Sequence, residues 1–257
     1  EIVSRDWSSD VCSSDLIRCK LKQLPTKMGS GELVPVNSNL VILPTRNRPD
    51  SAERCINALK EHSVMSDFCI AIDDDQADLY PRLDDVIYEV NPRLRMNGTL
   101  NLVANKYADK YETIYFLGDD HLVQTPNWDE YLSGAIAKKC YGLSYGNDLL
   151  QGQGLATAVM MSTNIIRAVG YMAPPKLVHL YMDNYWMILG SRLGSLWYFD
   201  KVIIEHLHPV AGKAQWDEGY VEANADAVGN ADRQELHRYM EEDFAGELEK
   251  ITKALEL

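Results

Sequence analysis

Residues 115–123 read YFLGDDHLV: an apolar run, a glycine, two adjacent carboxylates and an imidazole. An Asp pair after a strand is most often a turn or a helix cap, so its meaning rests on what surrounds it. The pattern of apolar run followed by reactive side chains occurs twice more upstream. In NLVILPTRNRPD (39–50) the run 40–43 stops at Pro44 and gives way to arginines. In FCIAIDDDQ (68–76) it ends in Asp73, Asp74 and Asp75. All three runs read as buried strands ending in polar loops.

Working outward, Asp50 is expected to cap a helix, with Glu53 three residues on completing a capping box. Ala52, Cys55, Ile56 and Leu59 follow at helical spacing and form one buried face. DVIYEV (85–90) reads as a weaker third strand. Residues 99–110 read as a helix with Leu102, Val103, Lys106 and Tyr107 on one face, leading into a fourth strand, TIYFLGDD (113–120). The order strand, helix, strand, strand, helix, strand, with short continuous apolar runs, predicts an α/β fold: a mostly parallel sheet flanked by helices.

Beyond this, GLSYGND (142–148) reads as a strand and ATAVMMSTNIIRAVG (156–170) as a strand running into a short helix. A helix is expected around 183–190, and LWYFDKVIIEHLHP (196–209) as one or two strands closed by Pro209. From Asn230 onward, Leu236, Met240, Phe244, Leu248, Ile251 and Leu255 recur every three or four residues. That is a C-terminal amphipathic helix, packed on the main domain or on a second copy of the chain in a homo-oligomer.

The chain has 257 residues, 46% of them hydrophobic, enough for one large domain with an appendage. No apolar run reaches the length of a membrane span. A net charge of −13 argues against a nucleic-acid backbone as partner. From residue 217 onward twelve Asp or Glu face four Lys or Arg, so the tail carries −8 and reads as a solvated acidic face. The five cysteines (Cys12, Cys19, Cys55, Cys69 and Cys140) are odd in number and lack metal-ligand spacing, which suits a reducing, cytoplasmic location. Residues 1–16, Ser- and Asp-rich and without periodicity, read as a non-native adapter-derived or disordered segment rather than a signal peptide. Residues 17–38 are expected to form an N-terminal extension, 39–212 the main domain and 213–257 an acidic helical tail.

In open α/β sheets ligands bind outside the carboxyl ends of the strands. The three polar strand ends therefore predict one site for a cation, a diphosphate and a polar ring. Asp119 and Asp120 offer carboxylates to Mn²⁺ or Mg²⁺, which prefer oxygen ligands. His206 and His208 stand two apart on an expected strand, so both face one side, and either can complete the metal shell. His121 is expected to be turned away from Asp120 by strand alternation. Asp183, in the aromatic setting YMDNYWMI (181–188), is expected to have a raised pKa and to act as a general base. A helix-capping role is the competing reading.

Together VILPTRNRP, AIDDD, YFLGDDH, MDNYW and IEHLHP resemble the GT-A fold of nucleotide-sugar glycosyltransferases, in particular the family 2-like group of phage and bacterial type. The resemblance spans roughly 39–209. It implies a metal-dependent transfer of a hexose from a UDP-sugar to a hydroxyl of a glycan, a lipid-linked or another acceptor, with inversion. It implies that Pro44, Thr45 and Arg46 border the base and ribose, and that Asp73 or Asp74 binds the base. By the same resemblance Asp119 and Asp120 hold ribose and metal, with His206 or His208 as the late metal ligand and Asp183 as base. Gly152, Gly154 and small residues near Ala156 would wall the donor sugar, and Arg46, Arg48, Arg93 and Arg95 would meet phosphate oxygens. Two positions depart from the pattern. Gly118 stands where an acid often precedes the pair, and Met182 where Glu often precedes the base. Two rival readings remain: a sugar-phosphate nucleotidyltransferase, disfavoured because PTRNRP lacks glycine, and a non-catalytic sugar-nucleotide-binding or assembly module.

Overall fold

The computed structural model describes residues 38–223 and 225–257. The expectations for 1–16, for nearly all of the 17–38 extension, and for Cys12 and Cys19 lie outside the described residues.

Four strands build the first half of the sheet: β1 (Asn39–Thr45), β2 (Ser66–Asp73), β3 (Val86–Asn91) and β4 (Thr113–Phe116). All pair in parallel, β1 lying between β2 and β4. Both faces of β1 are covered, which is why its sequence is apolar at every position from Leu40 to Pro44. Leu40 and Ile42 pack into one core, Val41 and Leu43 into the other. The strand runs through Pro44 to Thr45 rather than stopping at Pro44. Pairing with β4 ends at Ile42, so Pro44 lies where β1 has a strand partner on one side only and loses little by lacking an N–H.

The helices of this half are α1 (Pro49–His62) and α2 (Arg95–Tyr107). The expected capping box does not form. Pro49 occupies the first turn, Arg48 is the capping residue, and no side chain caps. Proline at the first helical position presets φ and needs no N–H partner, so it displaces Asp50 into the helix. In α2 the buried face holds Leu100, Val103, Ala104 and Tyr107, whereas Leu102 is 44% exposed, contrary to expectation.

The second half adds β5 (His121–Val123), α3 (Trp128–Lys139), β6 (Leu143–Asn147), β7 (Val159–Ser162), α4 (Thr163–Val169), α5 (Met182–Arg192) and β8 (Leu196–His206). The sheet order is β3-β2-β1-β4-β7-β6-β8-β5. β7 is antiparallel to β4 and β6, while β8 runs parallel to β6 and antiparallel to β5. α1 and α3 cover one face, α2, α4 and α5 the other. β8 begins beside β6 and carries a bulge, its pairing jumping from Gly146↔Phe199 to Asn147↔Ile203. The bulge leads its far end onto β5, where His206 pairs with His121.

The tail forms α6 (Glu218–Ala223), α7 (Asp226–Glu242) and α8 (Phe244–Ala254), two helices where one was expected from Asn230. Leu236, Tyr239, Phe244 and Ile251 join the core on the α2 face. Among the described residues no helix is long and apolar enough to cross a membrane.

Candidate active site

A cleft of about 410 Å³ opens at the carboxyl ends of β1, β2 and β4. Pro44, Thr45, Arg46, Arg48, Asp73, Asp119 and Asp120 all line it, so most of the expected site residues converge. Asp73 ends β2 and faces the cleft, while Asp74 opens a 3-10 turn (Asp74–Leu79) and is exposed. Arg46 donates to Asp73 (2.7 Å) and to both oxygens of Asp75 (2.7 and 2.8 Å). Arg93 and Arg95 line the same wall.

Asp119 is buried, accepting the Thr45 hydroxyl (2.7 Å) and one Arg48 N–H (3.0 Å). Burial and the adjacent Asp120 charge push its carboxyl up to about 6, against the pull of Arg48 and Thr45. Burial acts on Asp120 too, yet the His121 and His206 rings at its oxygens outweigh it wherever they present an N–H, and then hold this carboxyl well below the ordinary range. Neighbouring carboxylates thus have opposite tendencies, set by their partners.

Asp120 lies 2.9 Å from His121 Nδ1 and 3.1 Å from His206 Nε2, and it accepts the Tyr220 hydroxyl at 2.9 Å. The two imidazoles stack, centroids 4.1 Å apart. One donor atom from each of Asp120, His121 and His206 lies within 4.8 Å of the others, a group that can hold a metal ion. One carboxylate and two imidazoles form a mixed oxygen and nitrogen set, which suits Mn²⁺ better than the oxygen-seeking Mg²⁺. The glycine before the pair fits this cradle. A Cβ on Gly118 would lie 2.7 Å from Asp120 Oδ1 and 3.0 Å from His121 Nδ1. An acid at 118, the commoner pattern, would fill the space the donors occupy.

Two expectations for the histidines change. His121 is not turned away, because Gly118–Asp120 form a turn (His121 N–H to Gly118 O, 3.1 Å) rather than continued strand, so alternation does not apply. His208 lies beyond the end of β8 and outside the cluster, its Nδ1 accepting the Val210 N–H at 3.2 Å. Its ring sits edge-on to His206, Trp216 and Tyr220.

Asp183 stands in the first turn of α5, after Tyr181 in the left-handed region (φ 66°). Burial raises its carboxyl, while the N–H of Asn184, donating to Oδ1 at 2.8 Å, opposes the rise. It does not line the cleft. Gly152 and Gly154 form a short turn and also lie outside the cleft. Among the described residues a Cβ on Gly154 would meet nothing within 4 Å, so none of them packs closely on this glycine. Gly152 has a positive φ (53°), a backbone conformation that glycine adopts without strain.

Three contributions were missed. Asp148, at the end of β6, repeats the signal of a carboxylate after a strand. Thr157 is an ordinary residue in the sequence. Asp217, Tyr220 and Glu222, around α6, sit in the acidic tail and gave no local cue. Asp217 accepts from Arg48 (2.8 and 2.6 Å), the Tyr220 ring lies 3.9 Å beneath the same guanidinium, and Glu222 pairs with both Arg93 (2.8 Å) and Arg95.

The chain matches no protein-family model, and no curated protein sequence matches it. Among solved structures it is similar to glucosyl-3-phosphoglycerate synthase from Mycobacterium tuberculosis, in complex with Mn²⁺, UDP and phosphoglyceric acid. That match has a TM-score of 0.51 and 12% identity, over 76% of this chain and 77% of that one. It is also similar to mannosyltransferase PcManGT from Pyrobaculum calidifontis, in complex with GDP-Man and Mn²⁺. Here the TM-score is 0.50 and the identity 11%, over 84% of this chain and 73% of that one. A match to S. aureus TarS covers 65% of this chain but 36% of that one, with 10% identity and a TM-score of 0.48. At such identities the likeness concerns architecture: the chain has the GT-A fold of nucleotide-sugar glycosyltransferases, with a mixed sheet flanked by helices.

Proposed function

We propose that the protein is a divalent-metal-dependent glycosyltransferase. It moves a hexose from a nucleoside diphosphate sugar, most simply a UDP-sugar, to an acceptor hydroxyl, with inversion. The observation that carries this reading is the triad Asp120, His121 and His206, with donor atoms within 4.8 Å of one another, whose Asp120 lines a cleft of arginines and carboxylates at the strand ends. The two GT-A neighbours, solved with nucleotides and Mn²⁺, support it.

In this reading Pro44, Thr45 and Arg46 border the base and ribose, Asp73 accepts from the base, and Asp119 accepts from the ribose. Arg48, Arg93 and Arg95 meet the phosphates. A divalent ion held by Asp120, His121 and His206 would neutralise charge on the departing diphosphate. Asp183 takes the proton of the acceptor hydroxyl as that oxygen bonds to the anomeric carbon. The bond from that carbon to the β-phosphate oxygen breaks, and its electron pair leaves with the nucleoside diphosphate. The raised Asp183 carboxyl suits a group that must accept a proton near neutral pH. The acceptor is a glycan, a lipid-linked sugar or another hydroxyl compound.

Incubation with a panel of nucleotide sugars and Mn²⁺, followed by NMR of the product, tests this. A β-linked product from an α-linked donor is expected. An α-linked product would remove Asp183 from the role of inverting base, and no turnover with any nucleotide sugar and acceptor would overturn the transferase reading.

A further inference from the structure

Among the described residues His206 Nδ1, which is buried, has no hydrogen-bond partner, and it faces Asp148 Oδ2 at 4.0 Å. Asp148 is 3% exposed and firmly held. Its Oδ1 accepts the N–H groups of Leu150, Gln151 and Gly152 (3.0, 2.7 and 2.8 Å), and its Oδ2 accepts the Thr157 hydroxyl (2.9 Å). Thr157 Oγ1 in turn lies 3.4 Å from His121 Nε2. The backbone ties the same residues, the His206 N–H donating to the Asp148 carbonyl at 2.9 Å. One carboxylate thus stands behind both imidazoles of the triad.

We propose that Asp148 is the positioning residue of the metal centre, an inference that rests on the metal reading above. An anion behind His206 favours the proton on Nδ1. Thr157, having given its hydrogen to Asp148, offers a lone pair to His121 Nε2 and favours the proton there. The inner atoms, His206 Nε2, His121 Nδ1 and the Asp120 oxygens, are then all lone pairs facing one another. Such an arrangement is repulsive without a cation and pre-formed for one.

The test is Mn²⁺ binding by paramagnetic resonance on the whole protein, with histidine ¹⁵N shifts as a second readout. Asp148→Asn keeps the acceptor for the backbone N–H groups but loses the charge. It is expected to weaken Mn²⁺ binding by about tenfold or more and to move the His206 tautomer away from Nδ1–H. Thr157→Val should weaken binding in the same direction and serves if Asp148→Asn folds poorly. Unchanged affinity and tautomer in the variants, with a wild type that binds Mn²⁺, would remove Asp148 from this role alone. A wild type that binds no Mn²⁺ would sink both this role and the metal reading.

A separate set of contacts carries a second inference. Asp217 and Glu222 occupy the guanidinium groups of Arg48, Arg93 and Arg95, which line the cleft. Tyr220, between them in sequence, donates to Asp120. Gly219 lets the chain approach, since a Cβ there would lie 3.2 Å from Arg48 Nη2. The geometry points to residues 217–222 as an internal stand-in for the donor's phosphates, displaced when the donor binds. This too rests on the donor-cleft reading, so its probe is inorganic pyrophosphate without metal or sugar. The doubly neutralised variant Asp217→Asn, Glu222→Gln is expected to bind pyrophosphate about tenfold more tightly than the wild type, because competing ion pairs are removed. Amide exchange across 217–223 in the wild type should quicken when pyrophosphate binds. Equal affinities would remove the stand-in, and slower exchange would mean that the segment closes over the ligand instead; either leaves the donor cleft intact as a reading. Failure of both proteins to bind pyrophosphate would overturn the stand-in and the phosphate site together.

Discussion

Asp119 and Gly118 show how single residues trade stability against a site. The Asp119 carboxyl is raised from 3.8 to about 6. Its native state therefore holds the proton more tightly than the unfolded chain. The stabilisation this gives is fully present below 3.8 and is lost as pH rises through about 6. Asp119→Asn, which keeps an acceptor for Thr45, is expected to raise the melting temperature at pH 7.5, with the gain vanishing below pH 4, while weakening UDP binding. Calorimetric melts across that range check the sign, and a lower melting temperature at pH 7.5 would contradict it. Gly118→Ala is expected to leave the fold intact and cut Mn²⁺ affinity about tenfold, because its Cβ would crowd Asp120 and His121. Titration with Mn²⁺ measures this directly, and an unaltered affinity would show that the donors can move aside.

Among the elements, those with a full apolar signature were legible. β1, β2 and β4 are continuous hydrophobic runs because both faces are covered, and α1 reads from Ala52, Cys55, Ile56 and Leu59. β5 is three residues long and exists only by pairing with the bulged end of β8, a long-range partner that no local pattern encodes. That pairing is also why strand alternation misplaces His121: its position depends on a turn at Gly118 and on the bulge between Phe199 and Ile203, far along the chain. α3 carries Trp128, Leu132 and Ile136 at helical spacing but starts from a left-handed Asn127, which hides its beginning. The apolar spacing of the tail is visible in the sequence, but its break at Asp243 leaves that spacing unchanged and so has no local signal. Its anchor is Glu247 on α8, 3% exposed, which accepts the hydroxyls of Tyr171 (2.7 Å), Tyr185 (2.8 Å) and Tyr239. Glu247→Ala strands these hydroxyls and is expected to cost about 3 kcal/mol, a fall of roughly 6–12 °C in melting temperature. A change under roughly 2 °C, on the same scaling, would mean that α8 is held by its apolar face alone.

For the molecule as a whole, topology gathers residues far apart in sequence around one cleft: the β1 loop, the end of β2, the turn after β4 and α6, with the end of β8 reaching Asp120 through His206. Ligand that binds only the folded state raises its melting temperature by mass action. UDP with Mn²⁺ is expected to stabilise the protein more than the sum of either alone, since ion and diphosphate share the site. Stabilisation by UDP that is indifferent to Mn²⁺ would separate nucleotide from metal. The most direct measurement is anomalous diffraction from crystals grown with Mn²⁺ and UDP. A manganese peak within coordination distance of Asp120, His121 and His206, with the diphosphate bound to it, is the expected result. A peak elsewhere, or a nucleotide seated in the cleft with no metal at the triad, would contradict the proposed centre.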